Sequence, residues 1–240
     1  MLYPTYGPRL DEMSINDSIR SSELRSFGRK RARKFGPRQE RLWRENLGKF
    51  SLDLASTPES QIPLDRELWL EIGFGGGEHL LWQAAQNPDV LLIGCEPFED
   101  GVVKALSGIE DRALSNIRLH ADDARPLVRW LPDASIARAC ILFPDPWPKK
   151  KHVKRRLIGT PLLDAMARVM KPGAELRIGT DIGDYARTIL LAVMPHKAFE
   201  WPARGPDDWR IRSDDWPETR YEQKAVREGR ARYYFRFRRR

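Results

Sequence analysis

A chain of 240 residues, 41% hydrophobic and 32% charged, is large enough for one α/β domain with a heavily charged surface. No apolar run approaches the ~20 residues of a membrane span, and MLYPTYGPRLDEMS lacks the layout of a signal peptide, which points to a cytoplasmic protein without a membrane partner. The net charge of +8 is informative because it is clustered, in Arg29 to Lys34, Lys149 to Arg156 and Arg236 to Arg240, and such blocks suit a polyanion.

Residues 1–60 carry scattered Pro and Gly and one helix-like stretch, RQERLWRENL, and are read as a basic, largely flexible arm ending in the linker LASTPESQIPLD. Residues 61–240 form the domain proper, where short apolar runs alternate with helical ones, the pattern of βαβ units. The expected strands are ELWLEI, VLLIGC, NIRLH, IARACILF, AELRIGT, one near AFEW, and ARYYFRF. Helices are expected from near Gly77, Glu99, Ala124 and Thr160, and after Asp181. This predicts a single doubly wound α/β domain with a mainly parallel seven-stranded Rossmann-like sheet whose last strand is antiparallel. Cys95 and Cys140 sit inside strand runs without ligand spacing and are expected as small buried residues.

The first strand runs through EIGFGGGEH into a helix, placing Gly73 and Gly75 where the backbone must turn tightly against a ligand. A dinucleotide fingerprint would need a third glycine where Glu78 stands. Acids at Glu71 and Glu78 disfavour a diphosphate and favour a cationic cofactor, which selects S-adenosyl-L-methionine over NAD. Glu96, closing the second strand, is placed to accept hydrogen bonds from ribose hydroxyls; the competing role is a cap for the next helix. Of Asp122 and Asp123 after the third strand, one is expected at the adenine and the other as a helix cap.

The fourth strand closes with FPDPWPKKKHVKRR, in which prolines fix a carboxylate, Asp145, and an aromatic, Trp147, beside the cofactor and ahead of a basic phosphate track. Asp181 is either a site residue or a cap. Thr219-x-x-Glu222 has the form of a capping box opening a helix that Gly229 ends. His79, His120, His152 and His196 lack ligand spacing, so no metal is expected. Trp201, Trp209 and Trp216 suit a loop anchor better than base stacking.

EIGFGGGE, GCEP, FPDPWPKKKHVKRR, GTD and TRYEQKAVREGR together resemble the bacterial-type tRNA (guanine-N7-)-methyltransferase family over roughly residues 65–240. The resemblance implies a methyltransferase sheet, cofactor contacts at Glu71, Glu96, Asp123 and Asp145, and substrate contacts at Lys149, Asp181, Thr219, Arg220, Tyr221 and Glu222. It also implies tRNA contacts along Lys151, His152, Lys154, Arg155 and Arg156, and a target guanosine at position 46 of the variable loop. Guanine N7 already exposes a lone pair, so the chemistry asks for orientation and a carboxylate near the incipient purinium, with Asp145 in that catalytic role, and not for a general base. The competing readings are an exocyclic-amino methyltransferase and a basic RNA-binding protein that has lost the chemistry. No obligatory protein partner is implied.

Overall fold

The computed structural model describes residues 30, 31 and 34–240. Helix α1 (Pro37–Arg41) passes through a π-helical stretch, Leu42–Asn46, into a last α-helical turn, Leu47–Phe50. Strand and helix then alternate: β1 (Glu67–Ile72), α2 (Glu78–Gln86), β2 (Val90–Cys95), α3 (Glu99–Arg112), β3 (Ile117–His120), α4 (Ala124–Trp130), β4 (Ile136–Leu142), α5 (Thr160–Val169), β5 (Met170–Thr180) and α6 (Gly183–Val193). The chain closes with β6 (Phe199–Glu200), α7 (Asp207–Arg210), α8 (Arg220–Arg227) and β7 (Tyr233–Arg239). Short 3-10 helices occupy Pro58–Ser60 and Lys150–Arg155.

The seven strands lie in the order β3-β2-β1-β4-β5-β7-β6, with β7 antiparallel to both neighbours and the pairs from β3 to β5 parallel. Strand order reverses between β1 and β4, which opens a crevice at their carboxyl ends, where ligands bind in open α/β sheets. The interior strands are buried on both faces and so read as nearly continuous apolar runs. Leu68, Leu70 and Ile72 of β1 join one core with α4, α5 and α6, whereas Trp69 joins a second with α2 and α3. Among the described residues, no helix is long and apolar enough to cross a membrane.

Two elements differ from expectation. The sequence places residues 37–60 in a flexible arm, yet Leu42 is buried in the core on the α3 side and the Leu52 amide donates to Leu119 O at 2.9 Å, beside β3. Trp43, Leu47 and Phe50 recur at helical spacing over too few turns to stand out as a period, and it is packing that orders them. Arg38 and Arg41 add ion pairs to Asp111 (2.6 Å) and Glu110 (2.8 Å) on α3. The rest of the arm, residues 1–29 with Arg29, and positions 32 and 33 lie outside the described residues. The second difference is β5, which begins at Met170, paired with Ile136, and loops out before resuming at Glu175 against Arg138.

Candidate active site

At the end of β1 the chain turns through Gly73 (φ 77°), Gly75 (φ 56°) and Gly77 (φ 82°), left-handed conformations that favour glycine. Close packing reinforces this: a Cβ on Gly75 would lie 3.1 Å from the Tyr221 ring, and one on Gly101 of α3 would lie 2.2 Å from Gly75 O. The turn is thus clamped between α3 and the start of α8. Beside it opens a cleft of about 340 Å³ lined by Gly73, Gly75, Glu96, Asp123, Asp145, Trp147, Arg155 and Tyr221, among others. Sequence-expected site residues from four separate strand ends therefore meet here.

Glu96 organises the cleft floor. It is 8% exposed; its Oε2 accepts from the Gly75 amide at 2.7 Å and its Oε1 from the Phe98 amide at 2.9 Å. Burial pushes its pKa up, with the two amides pulling the other way. An ionised carboxylate has about four acceptor sites, so two remain for hydroxyls of a bound nucleoside. Glu96 does not cap α3, whose N-cap residue is Phe98.

Asp123 both lines the cleft and caps the helix that follows. Its Oδ1 accepts from the Arg125 amide at 2.8 Å as the N-cap of α4, while Oδ2 pairs with Arg125 at 2.6 Å. Asp122 instead accepts from Lys30 at 3.4 Å, on the rim. The described part of the first basic block is likewise attached there, the Glu99 amide donating to Lys30 O at 2.7 Å.

Glu71 departs from expectation. Its side chain leaves β1 on the face opposite Ile72, is 5% exposed and meets His79 Nδ1 at 2.7 Å; it does not line the cleft. Glu78 faces Arg220 at 3.4 Å. Acidity around the cleft is thus supplied by Glu96, Asp123 and Asp145, and not by an acidic pair at the mouth.

Beyond β4, Phe143 (φ 51°) and Trp147 (φ 41°) both adopt left-handed conformations, bracketing exposed Asp145 with two strained residues. The Phe143 amide donates to Gly179 O at 2.8 Å, tying this end to β5. Strain of ~1–3 kcal/mol per residue persists only where packing over-determines it, and here it aims Asp145 and Trp147 at the cleft. Nothing in the residue types signals it.

The basic run forms the 3-10 helix Lys150–Arg155 and divides by role. Arg155 lies over the Trp147 ring at 5.0 Å and His152 meets its edge at 5.8 Å, while Lys149, Lys151 and Lys154 are exposed. Arg156, expected on the RNA, is instead buried at 6% exposure: it donates to Pro146 O (2.9 Å) and Thr188 Oγ1 (2.5 Å), pairs with Asp184 and covers the Tyr185 ring. It fastens the Asp145 loop to α6, since a guanidinium with these partners within reach gains more from the interior than from solvent.

On the far wall, Thr219 caps α8, its Oγ1 accepting from the Glu222 amide at 3.3 Å. Glu222 does not complete the capping box; its buried carboxylate accepts from Tyr234 OH (2.5 Å) and Arg212 Nε (2.9 Å). Burial, then the bond to Glu222, raises the pKa of Tyr234. Arg220 and Tyr221 reach the glycine turn, and of the substrate-side expectations Tyr221 lines the cleft. Asp181 is not a cap: it pairs with Arg230 at 2.6 Å and stands outside the cleft lining. Trp216 is fully buried, closing a small cluster with Cys140, Leu142 and Tyr234. No group of three or more His, Cys, Asp and Glu among the described residues is arranged to hold a metal ion.

The reversed last strand, the switch-point cleft and the acid-lined glycine turn are those of a methyltransferase, and residues 65–235 match the family described as "Putative methyltransferase". A tRNA (guanine-N(7)-)-methyltransferase of Hyphomonas neptunium is 48% identical over 206 residues, covering 85% of this chain and 94% of the relative. One from Rhodospirillum rubrum is 45% identical over 229 residues, covering 92% and 89%. Among solved structures, TrmN from Thermus thermophilus aligns at TM-score 0.52 with 16% identity, covering 72% of this chain and 44% of that one, a likeness of fold alone. The chain belongs to the tRNA (guanine-N(7)-)-methyltransferase family.

Proposed function

We infer that this protein transfers the methyl group of S-adenosyl-L-methionine to N7 of a guanosine in tRNA, at position 46 of the variable loop, in the cytoplasm. The observation that carries this reading is the convergence of Asp145, Trp147 and Arg155 on the mouth of the Glu96 cleft. A planar base entering there meets an aromatic and a guanidinium plane on one side and a carboxylate at its edge.

The cleft fits an adenosyl cofactor. The left-handed, Cβ-free turn lets a ligand approach the backbone closely, Glu96 has acceptor capacity for ribose hydroxyls, and Asp123 keeps a carboxylate on the adenine side although Arg125 shares it. The bound donor supplies an electrophilic methyl on a sulfonium, so attack by N7 yields a thioether and a cationic purine with no proton to remove. Asp145 stabilises that cationic base and holds it in line. Tyr221 and Arg220 close the cleft over the glycine turn, Lys149 meets the nucleotide at the rim, and Lys151, Lys154 and Arg155 take phosphates. Glu222 supports this wall through Arg212 and Tyr234.

Incubating tRNA with the enzyme and methyl-labelled donor, digesting to nucleosides and weighing the product tests the reading. 7-Methylguanosine is expected; 6-methyladenosine, or a methylated cytidine with no label in guanosine, contradicts it.

A further inference from the structure

Tyr185 of α6 is fully buried, and its hydroxyl accepts from the Ile158 amide at 3.2 Å. Burial pushes its pKa up to about 12, so at working pH it is a neutral, fixed bonding partner with no proton to exchange. The guanidinium of Arg156 lies over the same ring at 4.9 Å, and its bonds run to Pro146 O, Thr188 Oγ1 and Asp184. Thr188 Oγ1 donates to Asp184 O at 2.9 Å, which leaves its lone pairs turned to Arg156. Asp184, Tyr185 and Thr188 span about 100° of the helix circumference and so present one face to the loop.

Residues 143–158 are held at three points: the Phe143 amide on Gly179 O of β5, Pro146 O on Arg156, and the Ile158 amide on Tyr185. The second and third depend on α6. Between these points stand Asp145 and Trp147 at the cleft and the exposed Lys149, Lys151 and Lys154, while Leu157 lines the cleft beside Ile158. The two duties carried by this stretch differ in tolerance. A lysine on a phosphate follows a shift of about an ångström by rotating its flexible four-carbon stem, at little cost in affinity. A carboxylate that holds a purine in line with a sulfonium methyl cannot, since a misplacement of ~1 Å costs about 10²-fold in rate.

We propose that Asp184, Tyr185 and Thr188 are positioning residues which, directly and through Arg156, set Asp145 and Trp147 at the cleft mouth, so that this face of α6 governs the rate of methyl transfer and not the affinity for cofactor or tRNA. The proposal rests on the guanosine-methylation reading for its effect on rate, whereas the ties belong to the loop whatever the substrate. The cofactor side is spared because Glu96 is bonded to Gly75 and Phe98, and Asp123 to Arg125, none of them on α6. A buried polar network satisfied along its length specifies one arrangement of its members, and severing one bond loosens the rest.

The test compares Tyr185→Phe, Thr188→Val and Arg156→Lys with the rescue variant Thr188→Ser, each assayed below its own melting transition. Arg156→Lys keeps the cation and gives up the planar fork that reaches Pro146, Thr188 and Asp184 together. Three readouts are used: the rate of tryptic cleavage within Lys149 to Arg155 relative to cuts elsewhere, calorimetric affinity for S-adenosylhomocysteine, and kcat against KM for tRNA. The three loosened variants are expected to be cut about tenfold faster in this stretch alone and to lose about tenfold in kcat, with S-adenosylhomocysteine affinity and KM for tRNA within about threefold of wild type. Thr188→Ser, which restores the hydroxyl, should return both cleavage and kcat to wild type. Thr188 is half-buried, so its variants carry the test should Tyr185→Phe fail to fold. Unchanged cleavage and kcat in Thr188→Val and Arg156→Lys would overturn the proposal, as would a raised KM for tRNA at unchanged kcat, which would make this face an RNA contact. A wild-type protein that binds S-adenosylhomocysteine but methylates no guanosine would refute the functional reading; faster cleavage in Thr188→Val would then still uphold the ties, and unchanged cleavage would overturn them.

Discussion

Replacing Glu96 by glutamine removes the charge from the cleft floor while keeping the shape. The native carboxylate bonds the Gly75 and Phe98 amides, one on each oxygen, and presents its remaining acceptor positions to the cleft. An amide has one acceptor oxygen, so one of the two backbone N–H groups faces an NH₂ and loses its partner. The lost charge-assisted bonds to ribose cost about 1.5–3 kcal/mol, or roughly ten- to a hundredfold in cofactor affinity. Fold stability should change by only about 1 kcal/mol, because the orphaned amide is offset by no longer burying a charge. Calorimetry with S-adenosylhomocysteine beside a thermal melt measures both. pH adds a second signature. Burial raises the Glu96 pKa above 4.5, so the folded state binds this proton more tightly than the unfolded chain does. By linkage its contribution to stability therefore grows as pH falls through the folded value, while cofactor binding, which needs the ionised form, weakens over the same window. That window lies at higher pH than for an exposed glutamate and is absent from Glu96→Gln. Unchanged affinity in the variant would refute the assignment of Glu96 to the ribose.

Gly101→Ala, whose Cβ would sit 2.2 Å from Gly75 O, should displace the glycine turn and abolish measurable cofactor binding while leaving a folded sheet by circular dichroism; retained binding would mean that the turn yields freely. Arg156→Ala is expected to cost about 3 kcal/mol, read as a melting-temperature drop of roughly 6–12 °C, without altering the salt dependence of tRNA binding. By contrast, the triple replacement of Lys151, Lys154 and Arg155 by alanine should leave melting unchanged and reduce the magnitude of the log–log salt slope by about 2–3. An Arg156→Ala protein with full stability and a reduced slope would return that residue to the RNA. Asp145→Asn should lower kcat by about 10²-fold with cofactor affinity nearly intact, and the wild-type rate should show no essential base near neutral pH.

Much of the fold was legible because the buried parallel strands announce themselves: ELWLEI and VLLIGC are β1 and β2 to the residue. Helix starts at Glu99, Ala124 and Thr160 were equally plain, the first two each following a strand by a short turn. The helix-like stretch RQERLWRENL was legible too, as the helix Pro37–Phe50 bears out, but its packing was not, because that order comes from burial against α3 and β3. Within the site, Glu96 and Asp145 could be brought to the cleft by their positions at strand ends, where the fold dictates which way a side chain reaches, whereas Asp123 was told from Asp122 only by the family resemblance. Glu71 could not. One residue short of the strand end, alternation turns it to the opposite face, and only His79, one helix later, shows what it meets. Arg156 has the same lesson in reverse, since a run of cations gives no sign of which one finds Asp184 and Thr188.

The central claim is methylation at N7 of guanosine, and the chemistry of the product offers its most direct measurement. A 7-methylated guanine carries a positive charge that makes its ring reducible by borohydride and the RNA chain cleavable there by aniline, which methylation of an exocyclic amine does not. End-labelled tRNA treated with enzyme and donor, then reduced and exposed to aniline, should break at one guanosine of the variable loop, dependent on both enzyme and donor. A chain that incorporates labelled methyl groups yet stays intact would contradict the account.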